Sequence, residues 1–267
     1  MVKQMKKSYL FILFIILIIT CSCENKAPST KKEPTSQDGV TYSIRSPKNE
    51  EVDHGYWEEI DTLEDAKDYL QNMRQYGYVI YDSNGNLVYH PFDTLRQSEL
   101  LYYAKLVADY VASNGYTYGN ASKNPALDRG KTEKLVSCDR FVGWVLHDLG
   151  FVDGQPTTSG LGLYGSKNLE NFLKENGFIK ITDKSQLKPA DIIFVGDSAE
   201  HYPNLQGAWL DYPDHVFIYA CEGDDGLFYR YDAGSTKRIK SNQPSCEPLE
   251  YSPEKLFRFA YRLPQAQ

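Results

Sequence analysis

The sequence has little that could bind a metal ion. Its five histidines are scattered along the chain, and it contains neither a CxxC pair nor an HExxH motif, the tight spacings typical of zinc ligands. It also contains no internal repeats, so no repeat architecture is expected. We therefore predict a protein without a metal site.

Basic side chains are outnumbered by acidic ones. The 267 residues include 29 Lys and Arg against 36 Asp and Glu, a formal net charge of −7. Removal of the N-terminal signal described below would take away three lysines and bring the charge from −7 to −10. Such an acidic chain is not expected to bind nucleic acid, nor to dock on anionic lipid by charge alone.

The N-terminus is typical of an export signal. Three lysines precede an apolar run, residues 9–19, that is too short to span a bilayer. The run ends at Thr20-Cys21-Ser22-Cys23, which resembles a bacterial lipoprotein signal and predicts lipidation at Cys21 in preference to Cys23. This interpretation makes the protein exported and lipid-anchored to the membrane on the cell-envelope side; the alternative is an anchor retained in the mature chain.

Composition divides the rest of the chain. Residues 24–50 are rich in Lys, Pro, Ser, Thr and Gln and poor in apolar side chains, so we expect a flexible tether between the signal, residues 1–23, and the folded part. Residues 51–97 are predicted to add a helix and a hairpin with an Asn-Gly turn to a main domain, residues 98–267. Whether that addition is a binding module, an inhibitory segment or simple packing is left open.

Helical periodicity dominates the first half of the folded part and strand patterns dominate the second. Helices are predicted for residues 62–75, 98–113 and 166–176, and for a segment that begins at Cys138 after Ser137 as N-cap and ends before Gly150. Strands are predicted for residues 191–195, 215–221, 227–232 and 256–263. Helices followed by strands predict an α+β fold with a mainly antiparallel sheet.

The order of one cysteine and one histidine suggests a nucleophile and its base. Cys138 opens a predicted helix, where backbone N–H groups and the helix dipole favour a thiolate, and His215 leads a strand 77 residues later. Most lone cysteines are simply small buried hydrophobic residues, and that remains the alternative for Cys138. Among the three cysteines of the folded part, a disulfide between Cys221 and Cys246 would leave Cys138 unpaired.

A hairpin suggests the third member of the group. If its turn is centred between Gly223 and Asp224, His215 lies directly opposite Asp232 on the same face of the sheet. A shift of the centre by one residue makes the two diagonal neighbours that still share a face. Asp232 could then orient the imidazole, as in other triads, or it could be a turn residue before Ala233.

Four segments follow one another in an order that is typical of one protein family: Gly115-Tyr116-Thr117-Tyr118-Gly119, Ser137-Cys138-Asp139-Arg140-Phe141-Val142, Lys188-Pro189-Ala190-Asp191-Ile192-Ile193-Phe194 and His215-Val216-Phe217-Ile218-Tyr219. Through them the chain resembles the NlpC/P60 family of bacterial cell-wall cysteine peptidases, within the papain-like amidase group, over roughly residues 99 to 263. The segments are similar, in turn, to that family's upstream tyrosine segment, its Asp-Cys-Ser-Gly-Phe-Val segment, its Pro-Gly-Asp segment and its His-Val-Gly-Ile-Tyr strand.

The resemblance implies a papain-like NlpC/P60 fold, catalysis by Cys138, His215 and Asp232 without a cofactor, and a peptide bond of peptidoglycan as substrate. It offers Tyr118 ahead of Tyr116 as a partner of the Cys138 backbone N–H in holding the oxyanion. Asp139 would flank the scissile bond. Trp209 belongs to residues 196–214, which are either a groove wall or lid or an ordinary surface loop.

This chain departs from the family beside the nucleophile. Ser137 stands in place of Asp, Asp139 and Arg140 in place of Ser-Gly, and Asp232 in place of the family's third catalytic His, Asn or Gln. These changes leave the nucleophile and base intact but alter the groove around them. Two other functions therefore stay open: a papain-like thioesterase or acyltransferase, and a wall-binding lipoprotein without catalysis.

Overall fold

The computed structural model describes residues 39–49, 59–72, 77–118, 135–152, 166–196, 213, 215–222, 228–233, 247–248 and 257–264. All of them belong to one compact unit, residues 36–267. The helices are α1 Leu63–Asn72, α2 Leu95–Ser113, α3 Cys138–Asp148 and α4 Ser166–Glu175, with a 3-10 turn at Lys184–Gln186. The strands are β1 Tyr42–Arg45, β2 Val79–Asp82, β3 Leu87–Tyr89, β4 Thr117–Tyr118, β5 Leu135–Val136, β6 Ile179–Ile181, β7 Ile192–Val195, β8 His215–Glu222, β9 Phe228–Tyr231, β10 Glu247–Pro248 and β11 Phe257–Arg262.

The architecture is α+β with antiparallel sheets. Six strands form the main sheet in the order β10-β9-β8-β7-β11-β6, and every neighbouring pair in it is antiparallel. Three strands, β1-β2-β3, form a second antiparallel sheet, and β4 pairs with β5 in parallel. None of the helices in the described ranges is long and apolar enough to cross a bilayer.

The main core lies between the helices and one face of the six-stranded sheet. Alternate residues of β8, Val216, Ile218 and Ala220, pack there with Trp144 of α3. The intervening residues Phe217 and Tyr219 join a smaller cluster that includes Ile193 and Ala260. This alternation follows from the strand period of two, and it fixes which β8 side chains lie on each face.

The folded part begins earlier than the composition predicts. β1 lies at residues 42–45, inside the expected tether of residues 24–50, and pairs residue by residue with β2. Ile44 is fully buried in the core of the small sheet, although polar residues surround it in the sequence. The prediction that folding starts only after residue 50 was therefore wrong, because a single buried side chain between polar neighbours was enough for an edge strand.

The start of α2 also differs from its prediction. Thr94 and Gln97 form a reciprocal capping box, in which the Thr94 side chain accepts from the Gln97 amide and the Gln97 side chain accepts from the Thr94 amide. The helix consequently begins at Leu95 instead of Ser98. The predicted boundary between residues 97 and 98 falls inside α2, so this helix joins the N-terminal sheet to the main domain.

Gly77 allows the small sheet to approach α2. Its φ is +113°, a conformation that favours glycine, and a Cβ at this position would lie 2.3 Å from the backbone nitrogen of Tyr102. Tyr78 then meets Tyr102 edge to face at 5.5 Å between ring centroids. Contact between the small sheet and α2 therefore depends on the absence of a side chain at Gly77.

We expect Gly77→Ala to destabilise the fold by about 3 kcal/mol, because the methyl group adds overlap with helix backbone to the cost of a positive φ. Urea unfolding followed by circular dichroism would measure this. Gly85→Ala is the matched control, since Gly85 has φ +82° but open space around it, and it should cost only about 1 kcal/mol. Equal losses for the two variants would show that overlap with α2 is unimportant.

Candidate active site

The first turn of α3 holds Cys138 at the helix N-terminus. Ser137 is the N-cap residue with extended backbone, and its carbonyl accepts the first helical hydrogen bond, from Phe141. Its side chain makes no capping hydrogen bond. The first-turn amides of a helix have no partner within the helix, so they can stabilise negative charge on the Cys138 sulfur or on an atom beside it. Cys138 carries a thiol and is buried.

His215 and Asp232 meet at one end of the main sheet. His215 opens β8 opposite Val195 of β7, and Asp232 directly follows the last residue of β9. The His215 Nε2–H donates to Asp232 Oδ2 at 2.9 Å. The imidazole also interacts with the Cys138 thiol. Because Nε2 is bound to the carboxylate, Nδ1 is the ring nitrogen left to accept the thiol proton.

The register that brings His215 and Asp232 together is the second of the two that the sequence allows. Ile218 lies opposite Tyr231, and continuing this register places Asp232 opposite Phe217, two residues from His215. The two residues are therefore diagonal neighbours on one face, as expected for a hairpin centre shifted by one residue, and not directly opposed. The register shifts between Tyr219 and Cys221, so β8 contains one more residue than β9 at this point.

Arg230 completes the buried charges at this end of the sheet. It precedes Asp232 by two residues on the same face, and its Nε lies 3.1 Å from Asp232 Oδ2. The guanidinium also lies over the ring of Phe217, at 5.1 Å from the centroid. Side-chain exposure is 2% for Arg230, 5% for Asp232 and 22% for His215. Water therefore reaches the imidazole but hardly reaches the ion pair behind it.

Burial and neighbouring charges shift the pKa values of His215 and Asp232 in opposite directions. Burial alone would lower the pKa of His215, but the hydrogen bond to Asp232 and the interaction with Cys138 outweigh it and raise the pKa to about 10. Burial would likewise raise the pKa of Asp232, but His215 and the charge of Arg230 outweigh it and lower the pKa. Both shifts favour the charged forms, an imidazolium beside a carboxylate.

The other predicted site residues have different surroundings. Tyr118 is partly buried against the main core. In the β4–β5 pair it lies opposite Val136, and Val136 precedes Cys138 by two residues. Tyr116 is buried and packs edge to face on Trp144, which makes it a core residue. Asp139 is buried in the first turn of α3. Trp209, in the predicted groove wall, and Cys21, at the predicted lipidation site, lie outside the described residues.

Sequence reasoning missed Arg230. A signal was present in Tyr229-Arg230-Tyr231-Asp232, because a charge two residues before Asp232 in a strand must lie on the same face. Cys221 also carries a thiol in the structure, and Cys246, its suggested disulfide partner, lies outside the described residues. Within the described part of the chain, no three His, Cys, Asp or Glu side chains come together as a metal site would require.

No protein-family model, no curated protein and no solved structure matches this chain. What Cys138, His215 and Asp232 can do together therefore follows from the chemistry of their side chains. The site has a thiol at a helix N-terminus and an imidazole whose Nε2 is bound to a carboxylate oxygen at 2.9 Å. Nucleophilic catalysis by cysteine requires these groups in this order.

We expect Asp232→Asn to move the titration of the His215 ring to lower pH, because the largest remaining effect is then burial, which disfavours the charged imidazole. Two-dimensional NMR of the ring carbons and protons would follow the titration, with His215→Ala to assign the signal. Asp148→Asn is the control, since Asp148 pairs with a different histidine, His147, at 3.0 Å. An unchanged His215 titration in Asp232→Asn would mean that the carboxylate does not act on the imidazole.

Proposed function

We propose that the protein is a cysteine peptidase or amidase that hydrolyses peptide bonds in peptidoglycan stem peptides through Cys138, His215 and Asp232. The observation that carries the proposal is the position of the His215 imidazole between the Cys138 thiol and the Asp232 carboxylate. The order of cysteine helix and histidine strand on an antiparallel sheet supports a papain-like fold of the NlpC/P60 kind. The substrate rests on the resemblance to that family alone.

The chemistry is acyl transfer to sulfur and then to water. His215 Nδ1 takes the thiol proton, and the Cys138 thiolate attacks the amide carbonyl carbon. When the C–N bond breaks, the imidazolium gives its proton to the departing amine, and a thioester remains. A water molecule then attacks the thioester while His215 accepts its proton, and the C–S bond breaks to release the acid and restore Cys138. Only water is consumed, and no cofactor takes part.

Negative charge on the carbonyl oxygen needs donors in both steps. The Cys138 backbone N–H at the start of α3 supplies one, and Tyr118, close to that start in the β4–β5 pair, is our candidate for the second. Burial of Asp139 favours a role in holding the helix start over direct contact with substrate. Its carboxylate is well placed for this, because negative charge in the first turn stabilises a helix.

The first test is the pH dependence of Cys138 alkylation by iodoacetamide in the folded protein, resolved by peptide mass spectrometry with Cys221 as internal reference. We expect fast reaction at pH 6.5 and a loss of about 100-fold in His215→Ala, because the imidazole no longer takes the thiol proton. Identical rates in the two proteins would rule out the Cys–His couple and leave a wall-binding protein.

Peptidoglycan stem peptides and a small acyl thioester would then be offered to the same two proteins and to Cys138→Ser. Release of a new amino group from the stem peptides, lost in both variants, is the expected result. Cleavage of the thioester without cleavage of any stem peptide would favour the thioesterase or acyltransferase and contradict the peptidase proposal. Mass spectrometry of the products identifies the bond.

Attachment to the membrane is the second part of the proposal. We expect metabolic labelling with an alkyne fatty acid to mark the protein in bacterial cells, and Cys21→Ala to abolish the label, because the lipid is carried by a thioether and amide on that residue. Cys23→Ala is the matched control and should keep the label. Loss of label only in Cys23→Ala would show that Cys23, and not Cys21, carries the lipid. An unlabelled wild type would contradict lipidation.

A further inference from the structure

Arg230 has an environment that packing alone does not explain. Its side chain is among the largest that are fully buried, next to a carboxylate that already has a hydrogen-bonding partner in His215. A buried guanidinium is costly to desolvate, and an apolar side chain of similar volume would fill the space at lower cost. The compensation for this cost must come from the charges around it.

The four ionisable groups of the centre balance in charge. In the reactive form, the Cys138 thiolate and the Asp232 carboxylate carry two negative charges, and the His215 imidazolium and Arg230 carry two positive ones. Without Arg230 the same form would have a net negative charge in a site from which most water is excluded. Such a site takes up a proton more readily, and uptake by the thiolate abolishes the nucleophile.

We propose that Arg230 is a positioning residue of this catalytic centre, which holds the Asp232 carboxylate toward His215 and balances its charge so that Cys138 can react as a thiolate. The inference rests on the proposed function, because it concerns the same thiol. Arg230 acts through Asp232: its Nε lies 3.1 Å from the carboxylate oxygen that accepts from His215. The lowered pKa of Asp232, to which the charge of Arg230 contributes, agrees with this role.

Other charged residues lie near the centre among the described residues. Asp139 and Arg140, of opposite charge, follow Cys138 in the first turn of α3 and are buried. Asp232 is faced by His215 from β8 and by Arg230 from β9, and His215 is faced by Cys138 from α3. On the other side of β9, Glu247 of β10 stands opposite Arg230 in the strand register. Removal of Arg230 should therefore affect the ionisation of Asp232 directly and that of Cys138 through His215.

The test measures the pH–rate profile of Cys138 alkylation by iodoacetamide in the full chain for wild type, Arg230→Gln, Arg230→Lys and His215→Ala. Arg230→Gln should move the limb on which the rate rises with pH upward by about one pH unit, which is tenfold slower reaction on that limb. Arg230→Lys keeps the charge and should move the limb by less than half as much. A smaller shift in Arg230→Lys than in Arg230→Gln would show that the positive charge acts on the centre. A residue that only fills space would give no such difference.

Arg262→Gln is the matched control. Arg262 also pairs with a buried carboxylate of the main sheet, Asp191, at 2.8 Å. Asp191 lies beside Tyr219, four residues along β8 from His215 or roughly 13 Å. Loss of that pair should lower the melting temperature and leave the pH–rate profile unchanged.

The outcomes separate the two proposals. A large effect of His215→Ala with no shift in Arg230→Gln, or equal shifts in Arg230→Gln, Arg230→Lys and Arg262→Gln, would overturn the role of Arg230 and leave the Cys–His couple intact. No effect of His215→Ala would overturn the proposed function and, with it, this inference.

Should Arg230→Gln fail to fold, melting temperatures give an independent answer. Asp232→Asn leaves Arg230 buried without its carboxylate, so the double variant Asp232→Asn with Arg230→Gln should melt at or above the temperature of Asp232→Asn alone. A double variant that melts lower would overturn the inference, because Arg230 would then stabilise the protein without acting through Asp232.

Discussion

The pairing of β8 with β9 decides whether His215 and Asp232 can meet. In the register near the turn, Glu222 faces Phe228, and continuing it without interruption would put Asp232 opposite Ile218, on the face away from His215. The extra residue of β8 between Tyr219 and Cys221 corrects this, because every side chain beyond it changes its partner by one. The ion pair behind the thiol thus depends on a single irregularity in one hairpin.

Burial makes this arrangement effective and also costly. In a nearly dry site the attraction between His215 and Asp232 is stronger than in water, and for the same reason each charge needs a partner. The helix start of α3 adds partial positive charge beside Cys138 without adding a further ionised side chain. In the proposed mechanism these groups stabilise a thiolate and an imidazolium together, which is the state that nucleophilic attack by sulfur requires.

Much of this could be predicted from local patterns in the sequence. The α3 helix, the strands β7, β8, β9 and β11, and the shared face of His215 and Asp232 follow from periods of 3.6 and two residues. The choice between direct and diagonal pairing of His215 with Asp232 did not, because an extra residue within a strand leaves no local sign. β1 was missed since one buried isoleucine makes no pattern, and the approach of Gly77 to Tyr102 joins residues 25 positions apart.

Two buried aspartates at the main sheet have pKa values shifted in opposite directions. Asp191 accepts from Arg262 with both oxygens, at 2.9 and 2.8 Å, and from the Lys188 amide, yet burial is the largest influence and its pKa is raised. Burial is also the largest influence on Asp232, whose Oδ2 lies 3.1 Å from the Arg230 Nε, yet its pKa is lowered. The hydrogen bond with His215 is the largest of the influences that lower it. Pairing with arginine therefore does not by itself keep a buried carboxylate strongly acidic here, and the charged forms of Asp232 and His215 stabilise each other.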